Sequence, residues 1–194
     1  DLFADIKQMN YMVKSGQKPV YILEDLRKRV PRYDYYPEGQ QAYVRTKDGW
    51  FFSCKGAHNK ESHNHNDVGS CILYVKGVPV LIDSGTGQYT TKTFGPQRYT
   101  IWTMQSEWHN LPMINGIPQQ NGEEFKAKNV NFEADKRSYT FTADISGAYP
   151  KQAACNKWER KYNLFDKTGG SYLEIRDNFS LSSRLAPDVE HFLV

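Results

Sequence analysis

The amino-acid sequence predicts a mainly β protein, an antiparallel β-sandwich preceded by a short N-terminal helical segment. Short apolar and aromatic runs succeed one another after Pro31, separated by Gly, Pro and Asn/Asp clusters. Hairpin signals join several of them, Lys47-Asp48-Gly49 and Lys76-Gly77 among others, and tight turns of this kind connect antiparallel neighbours. Aromatic residues make up 14% of the 194-residue chain, yet mean hydropathy is only −0.72. That combination suits half-buried strands with polar outer faces.

Taken in order, Leu2, Ile6, Met9 and Val13 recur on one face of a helix, with Gly16 as its stop. A second short helix is expected from Ile22 to Val30, carrying Arg27, Lys28 and Arg29 in its last turn and ended by Pro31. Strands are then expected at 42–45, 50–54, 71–76, 78–82, 138–143, 158–164, 172–175 and 191–194. The stretch from Thr86 to Glu124 is rich in Gly, Gln and Tyr and only weakly strand-like; loops that long inside a compact domain are usually functional or mobile. Two parts result: residues 1–36, a helical linker or the end of another domain, and residues 37–194, the sandwich.

The net charge of +3, from 25 basic and 22 acidic residues, is too small to indicate a nucleic-acid binder, though it leaves room for a basic patch facing an acidic ligand. No window approaches the roughly 18 apolar residues of a membrane span. Three cysteines, Cys54, Cys71 and Cys155, form no CxxC pair. Their odd number leaves at least one thiol unpaired, so a disulfide scaffold is not expected.

Polar chemistry concentrates in Glu61-Ser62-His63-Asn64-His65-Asn66-Asp67-Val68-Gly69. Were this stretch extended, His63, His65 and Asp67 would share one face. Asp83 closes the apolar run Val78–Ile82 immediately before Ser84-Gly85-Thr86-Gly87, and a carboxylate at the tip of a buried strand needs a partner or a metal. His109 lies in Ser106-Glu107-Trp108-His109-Asn110. Two imidazoles and a carboxylate suit Zn2+, which takes nitrogen and oxygen ligands at roughly 2.0–2.2 Å. Equally, Asp83 can cap the following turn and His109 can donate to a backbone carbonyl. Other readings of the histidines fail: Val68 stands where the HxHxDH motif of metallo-β-lactamase-like hydrolases has its last histidine, and the cupin carboxylate is missing.

The combination His63-x-His65-x-Asp67-x-Gly69-Ser70, then Tyr74-x-x-Gly77-x-Pro79-x-Leu81-Ile82-Asp83-x-Gly85, then Trp108-His109-Asn110 resembles the C-terminal region of the heparinase II/III-like polysaccharide lyases. The likeness is dense from about Ala42 to Gly116. It implies a two-part enzyme, an N-terminal α/α toroid and a C-terminal antiparallel β-sandwich, with the active site in the cleft between them. Residues 1–36 would be a linker or the end of the toroid. The apolar ending Glu190–Val194 suggests that the sandwich is cut mid-strand.

By the same resemblance His65, Asp83 and His109 bind zinc, which fixes the loop rather than activating water, and His63 faces the substrate as a catalytic residue. The reaction implied is β-elimination at a uronic acid, with the acid/base tyrosine and the carboxylate-neutralising Asn or His supplied by the toroid; the fragment alone is therefore expected to be inactive. The partner implied is an acidic, uronate-containing polysaccharide, with Tyr89, Arg98 and Tyr99 as candidate substrate-binding residues, and the location is periplasmic or secreted. A second reading is a non-catalytic carbohydrate-binding β-sandwich, in which His63, Tyr89, Arg98, Tyr99 and Trp102 only grip sugars.

Overall fold

The computed structural model describes residues 31–194, and the helices expected before Pro31 lie outside the described residues. In chain order the strands are β1 (Tyr33–Tyr36), β2 (Gln41–Arg45), β3 (Trp50–Lys55), β4 (His58–Asn59), β5 (Cys71–Val75) and β6 (Val78–Leu81). They continue with β7 (Pro112–Met113), β8 (Gly122–Lys126), β9 (Lys128–Ala134), β10 (Ser138–Asp144), β11 (Cys155–Phe165), β12 (Tyr172–Leu181) and β13 (Val189–Glu190). One sheet has the order β1-β2-β3-β5-β6 and a second the order β12-β11-β10-β9; β13 pairs with β7 and β4 with β8. Every pairing is antiparallel.

Alternation along the strands sets the layers. Ala42 and Val44, Phe52 and Cys54, and Cys71 and Leu73 turn inward from the first sheet. They share one core with Tyr139, Phe141 and Ala143 of β10 and Trp158, Tyr162 and Leu164 of β11. The Phe52 and Tyr162 rings lie 5.3 Å apart between the layers, and the Tyr162 hydroxyl donates to the Gly69 carbonyl at 2.6 Å. This is the expected sandwich. Gly69 has φ +87°, and a Cβ there would stand 2.6 Å from Ile145 Cγ2, so the chain passes under the second sheet only with glycine at this position.

Lys76 and Gly77 both have positive φ and link the paired residues Val75 and Val78, as a type I′ hairpin requires. Several boundaries differ from the sequence reading. The first sheet begins at Tyr33, ahead of residue 37, because Tyr33–Tyr36 pairs along Gln41–Val44. β6 is an exposed edge strand rather than a buried one, with Val78 62% exposed, and the edge tolerates Pro79, which has no N–H to donate. Strand β9 was not expected, and the last strand is Val189–Glu190 rather than 191–194. The segment from Thr86 to Glu124 contains three 3-10 turns, Arg98–Thr100, Trp102–Met104 and Ser106–Trp108. Among the described residues no helix is long and apolar enough to cross a membrane.

Candidate metal centre and substrate cleft

The histidine stretch is a looped segment, not an extended one. His63 has φ +61° and the Asn64 N–H donates to the Glu61 carbonyl at 3.2 Å, so the alternation expected for His63, His65 and Asp67 is broken. Asp67 turns to Lys55 Nζ at 2.9 Å, and the same ammonium holds Glu61 at 3.0 Å. Side-chain amides supply the loop with the partners a sheet would have given it. Gln119 accepts from the Val68 N–H at 3.1 Å and donates to the Val68 carbonyl at 2.8 Å. Asn59 donates to Gln119 at 3.0 Å and accepts from the Asp67 N–H at 3.2 Å. Both amides are buried, where unsatisfied polar groups would be costly.

With the loop so held, His65 meets Asp83 and His109. One ligand atom from each of the three lies within 4.8 Å of the others. His109 Nδ1 is 3.0 Å from Asp83 Oδ2, with the imidazole fully buried and the carboxylate 38% exposed. The His65 and His109 rings are 5.2 Å apart. Burial holds the His65 imidazole below its ordinary value. For Asp83, burial alone would raise the carboxyl, but the hydrogen bond and charge of His109, with smaller help from the Gly85 N–H and His65, hold it below the usual range. Neutral imidazole and ionised carboxylate are the forms in which these groups ligate metals.

The residues fit a zinc ion. Donors at roughly 2.0–2.2 Å in tetrahedral arrangement stand about 3.3–3.6 Å apart; here one pair is at 3.0 Å and all three lie within 4.8 Å of one another. Among the described residues His109 Nε2 is buried with no hydrogen-bond partner, which leaves that nitrogen available to a ligand. Neither bland alternative holds by itself: Asp83 does accept from the Gly85 N–H at 2.7 Å, yet its other oxygen turns to His109. Asn110 sets the approach of these segments, because its amide donates to the carbonyls of Cys71 at 2.7 Å and Ile82 at 2.9 Å, fixing the residue before Asp83.

His63 points elsewhere. It is exposed and lines an open cleft of about 350 Å3 with Lys60, Asn64, Phe94, Arg98 and Tyr99. Its ring meets the Phe94 ring edge-on at 5.5 Å, and Phe94 meets Tyr89 at 5.6 Å. Tyr89 is 65% exposed and offers its ring to solvent. Arg98 Nε and Nη2 donate to the Asn64 carbonyl at 3.1 and 2.6 Å, and Nη1 donates to the Thr93 carbonyl at 2.6 Å. The Tyr99 hydroxyl donates to Asn64 Oδ1 at 2.8 Å, and the Asn64 amide donates to the His65 carbonyl at 2.8 Å. Arg98 and Tyr99 thus line the cleft while gripping the residue between the two histidines.

Sequence reasoning missed Asn59, Asn64, Asn110 and Gln119, all buried. Buried side-chain amides are the signal, and burial is not visible in composition. A larger cavity, about 730 Å3 beside Trp158, Phe179 and Asp188, includes none of the site residues.

A family model described as heparinase II/III-like, C-terminal, matches residues 30–190. Among solved structures the chain is similar to a mutant of heparan sulfate lyase HepC from Pedobacter heparinus, with TM-score 0.62 and 17% identity over 80% of this chain and 23% of that one. A second structure of HepC from Pedobacter heparinus gives TM-score 0.60 and 16% identity over 78% of this chain and 22% of that one. Heparinase III, the BT4657 gene product, gives TM-score 0.56 at 16% identity over 78% and 22%. At such identities the likeness is one of fold, and the chain spans less than a quarter of the length of those proteins. No curated protein matches.

Proposed function

Because this chain belongs to the heparinase II/III-like C-terminal family, we propose that it is the β-sandwich part of a polysaccharide lyase that cleaves a uronate-containing glycosaminoglycan by β-elimination. The observation that carries the reading is the division of labour between neighbours: His65 turns into a cluster with Asp83 and His109 in which both imidazoles are buried, while His63 stands in an open cleft. In the reaction a base removes the C5 proton of the uronate, charge builds on the carboxylate, and the C4–oxygen bond breaks to leave a C4–C5 double bond. A second negative charge on a carboxylate is costly unless donors face it. The His63 imidazole can donate to that oxygen or take up a proton. Lys60 and Arg98 line the cleft together with Glu61, whose charge is met by Lys55, which leaves positive potential for an acidic polymer; Tyr99 completes the wall, and the exposed Tyr89 ring offers a face for a sugar.

Zinc bound by His65, Asp83 and His109 would supply fixed positive charge and tie three chain segments together. Ordering His65 also orders His63, two residues away. The acid/base tyrosine and a carboxylate neutraliser come, on this reading, from an α/α toroid in the same protein, and the enzyme works in the periplasm or outside the cell, where polymeric uronates are met.

The test is ultraviolet absorbance of the C4–C5 double bond formed on heparan sulfate and other uronate polymers. The complete protein is expected to form unsaturated product and the 194-residue chain alone to form none. Absence of product from the complete protein, alongside retained polysaccharide binding, would favour the carbohydrate-binding reading. Product from the 194-residue chain alone would place the acid/base groups within it, beside His63 at Tyr89 and Tyr99.

A further inference from the structure

We infer that Cys54 and Cys71, free thiols in this structure, form a redox-active pair that closes on oxidation into a cross-strand disulfide stapling the base of the histidine loop. The two residues are directly opposite in the β3–β5 ladder. Lys76 donates to the Gly49 carbonyl and Lys55 to the Ser70 carbonyl across the same ladder. Hydrogen-bonded and non-hydrogen-bonded pairs alternate between those two points, which makes Cys54 and Cys71 a non-hydrogen-bonded pair. Such pairs have Cα atoms about 4.5 Å apart and the closest side chains in an antiparallel ladder, within the range of roughly 4.4–6.8 Å that a disulfide spans.

Both side chains face the core, and both residues are 3% exposed. Cys155 is on the second sheet, opposite Leu181, and is left as the unpaired thiol. Neither thiol is open to solvent in the closed structure, so a reagent reaches the pair only when the loop or the strand edge opens. The segment closed by the bond is residues 55–70, which carry His63, His65 and Asp67.

The oxidant is a small-molecule disulfide or a disulfide-donating thiol oxidoreductase. One cysteine thiolate attacks the donor disulfide, forming a mixed disulfide and releasing one donor thiol. The second cysteine then displaces the second donor thiolate, so that two protein thiols become one S–S bond and the donor is reduced to two thiols. Burial pushes Cys71 up to about 11 and Cys54 well up from its usual value. Few thiolates therefore exist in the closed native state, and the exchange is carried by folding or by opening of the loop.

The experiment compares the chain refolded with oxidised and reduced glutathione against the chain held in dithiothreitol, each alkylated under denaturing conditions, digested without reduction and weighed. In the oxidised sample the peptides holding Cys54 and Cys71 are expected to be linked, with a loss of two hydrogens, and Cys155 alkylated. The melting temperature is expected to rise by several degrees on oxidation and to return on reduction. Full alkylation of Cys54 and Cys71 after oxidative refolding, or linkage of either to Cys155, overturns the assignment. The peptide reading needs only the unsubstituted chain, so it decides the matter even if Cys71→Ala does not fold.

Discussion

On the proposed lyase reading, His63→Ala in the complete protein is expected to lower kcat about 100- to 1,000-fold, the usual effect of losing one well-placed donor to developing charge, while zinc content stays that of the unsubstituted protein. His63 lies in the cleft wall and is exposed, whereas the cluster is made by His65, Asp83 and His109. On the proposed reading its removal takes away a transition-state contact without touching the proposed ligand set. The Asn64 amide and carbonyl remain held by Tyr99 and Arg98, so the loop keeps its path. Steady-state kinetics and elemental analysis on the same preparation separate the two effects. Unimpaired turnover would assign His63 a structural role and strengthen the carbohydrate-binding alternative.

Arg160→Met is expected to destabilise the sandwich by about 3–5 kcal/mol, the usual result of removing one partner from a buried charge cluster. Arg160 is 1% exposed. Its Nε and Nη2 make a two-point contact with Asp177 at 2.9 and 2.6 Å, Nη2 also reaches Glu190 at 2.7 Å, and Nη1 donates to the Asn110 carbonyl at 2.8 Å. Methionine fills much of the volume but leaves both carboxylates without their cation. Burial, together with the neighbouring Asp177 charge and against the pull of Arg160, pushes Glu190 up to about 7.

A carboxyl raised in the folded state favours folding below its unfolded value near 4.5 and loses that contribution as pH rises through about 7. Protonated Glu190 needs no cation, whereas ionised Glu190 does. The stability gap between Arg160→Met and the unsubstituted chain should therefore widen from pH 5 to pH 8. Urea denaturation at the two pH values measures it, and a gap that is small at both would show that the cluster contributes little.

The central strands were legible in the sequence because each alternates strongly between core and surface. Phe52 and Cys54, Cys71 and Leu73, and Tyr162 and Leu164 all reached the core from runs that read as strands. β9 was not legible, because its inward Val130 and Phe132 are diluted by Lys128, Asn129, Asn131 and Glu133 on an edge exposed to solvent. The loop was misread for the opposite reason: His63, His65 and Asp67 do alternate in type, but among the described residues no strand pairs with them, and a positive φ at His63 breaks the period.

His65, Asp83 and His109 could be grouped before the fold was known only through the family resemblance, since their own spacing carries little information. The contacts that fix the loop were beyond reach for a physical reason. Gln119 with Val68, and Arg98 and Tyr99 with Asn64, join residues 51, 34 and 35 positions apart, and such pairings exist only once the layers have closed.

Zinc binding by the 194-residue chain tests the central proposal most directly. When the chelator-stripped proteins are given zinc and desalted, one equivalent of Zn2+ should be bound per chain by the unsubstituted protein and by His63→Ala, and none by His109→Ala. With free zinc at about 1,000 times its dissociation constant, mass action stabilises the native state by about 4 kcal/mol, a rise in melting temperature on the order of 10 °C that His109→Ala should lack. Failure of the unsubstituted chain to hold stoichiometric zinc, or binding by His109→Ala as tight as the original, would contradict the assignment of His65, Asp83 and His109 as the metal site that holds the loop bearing His63.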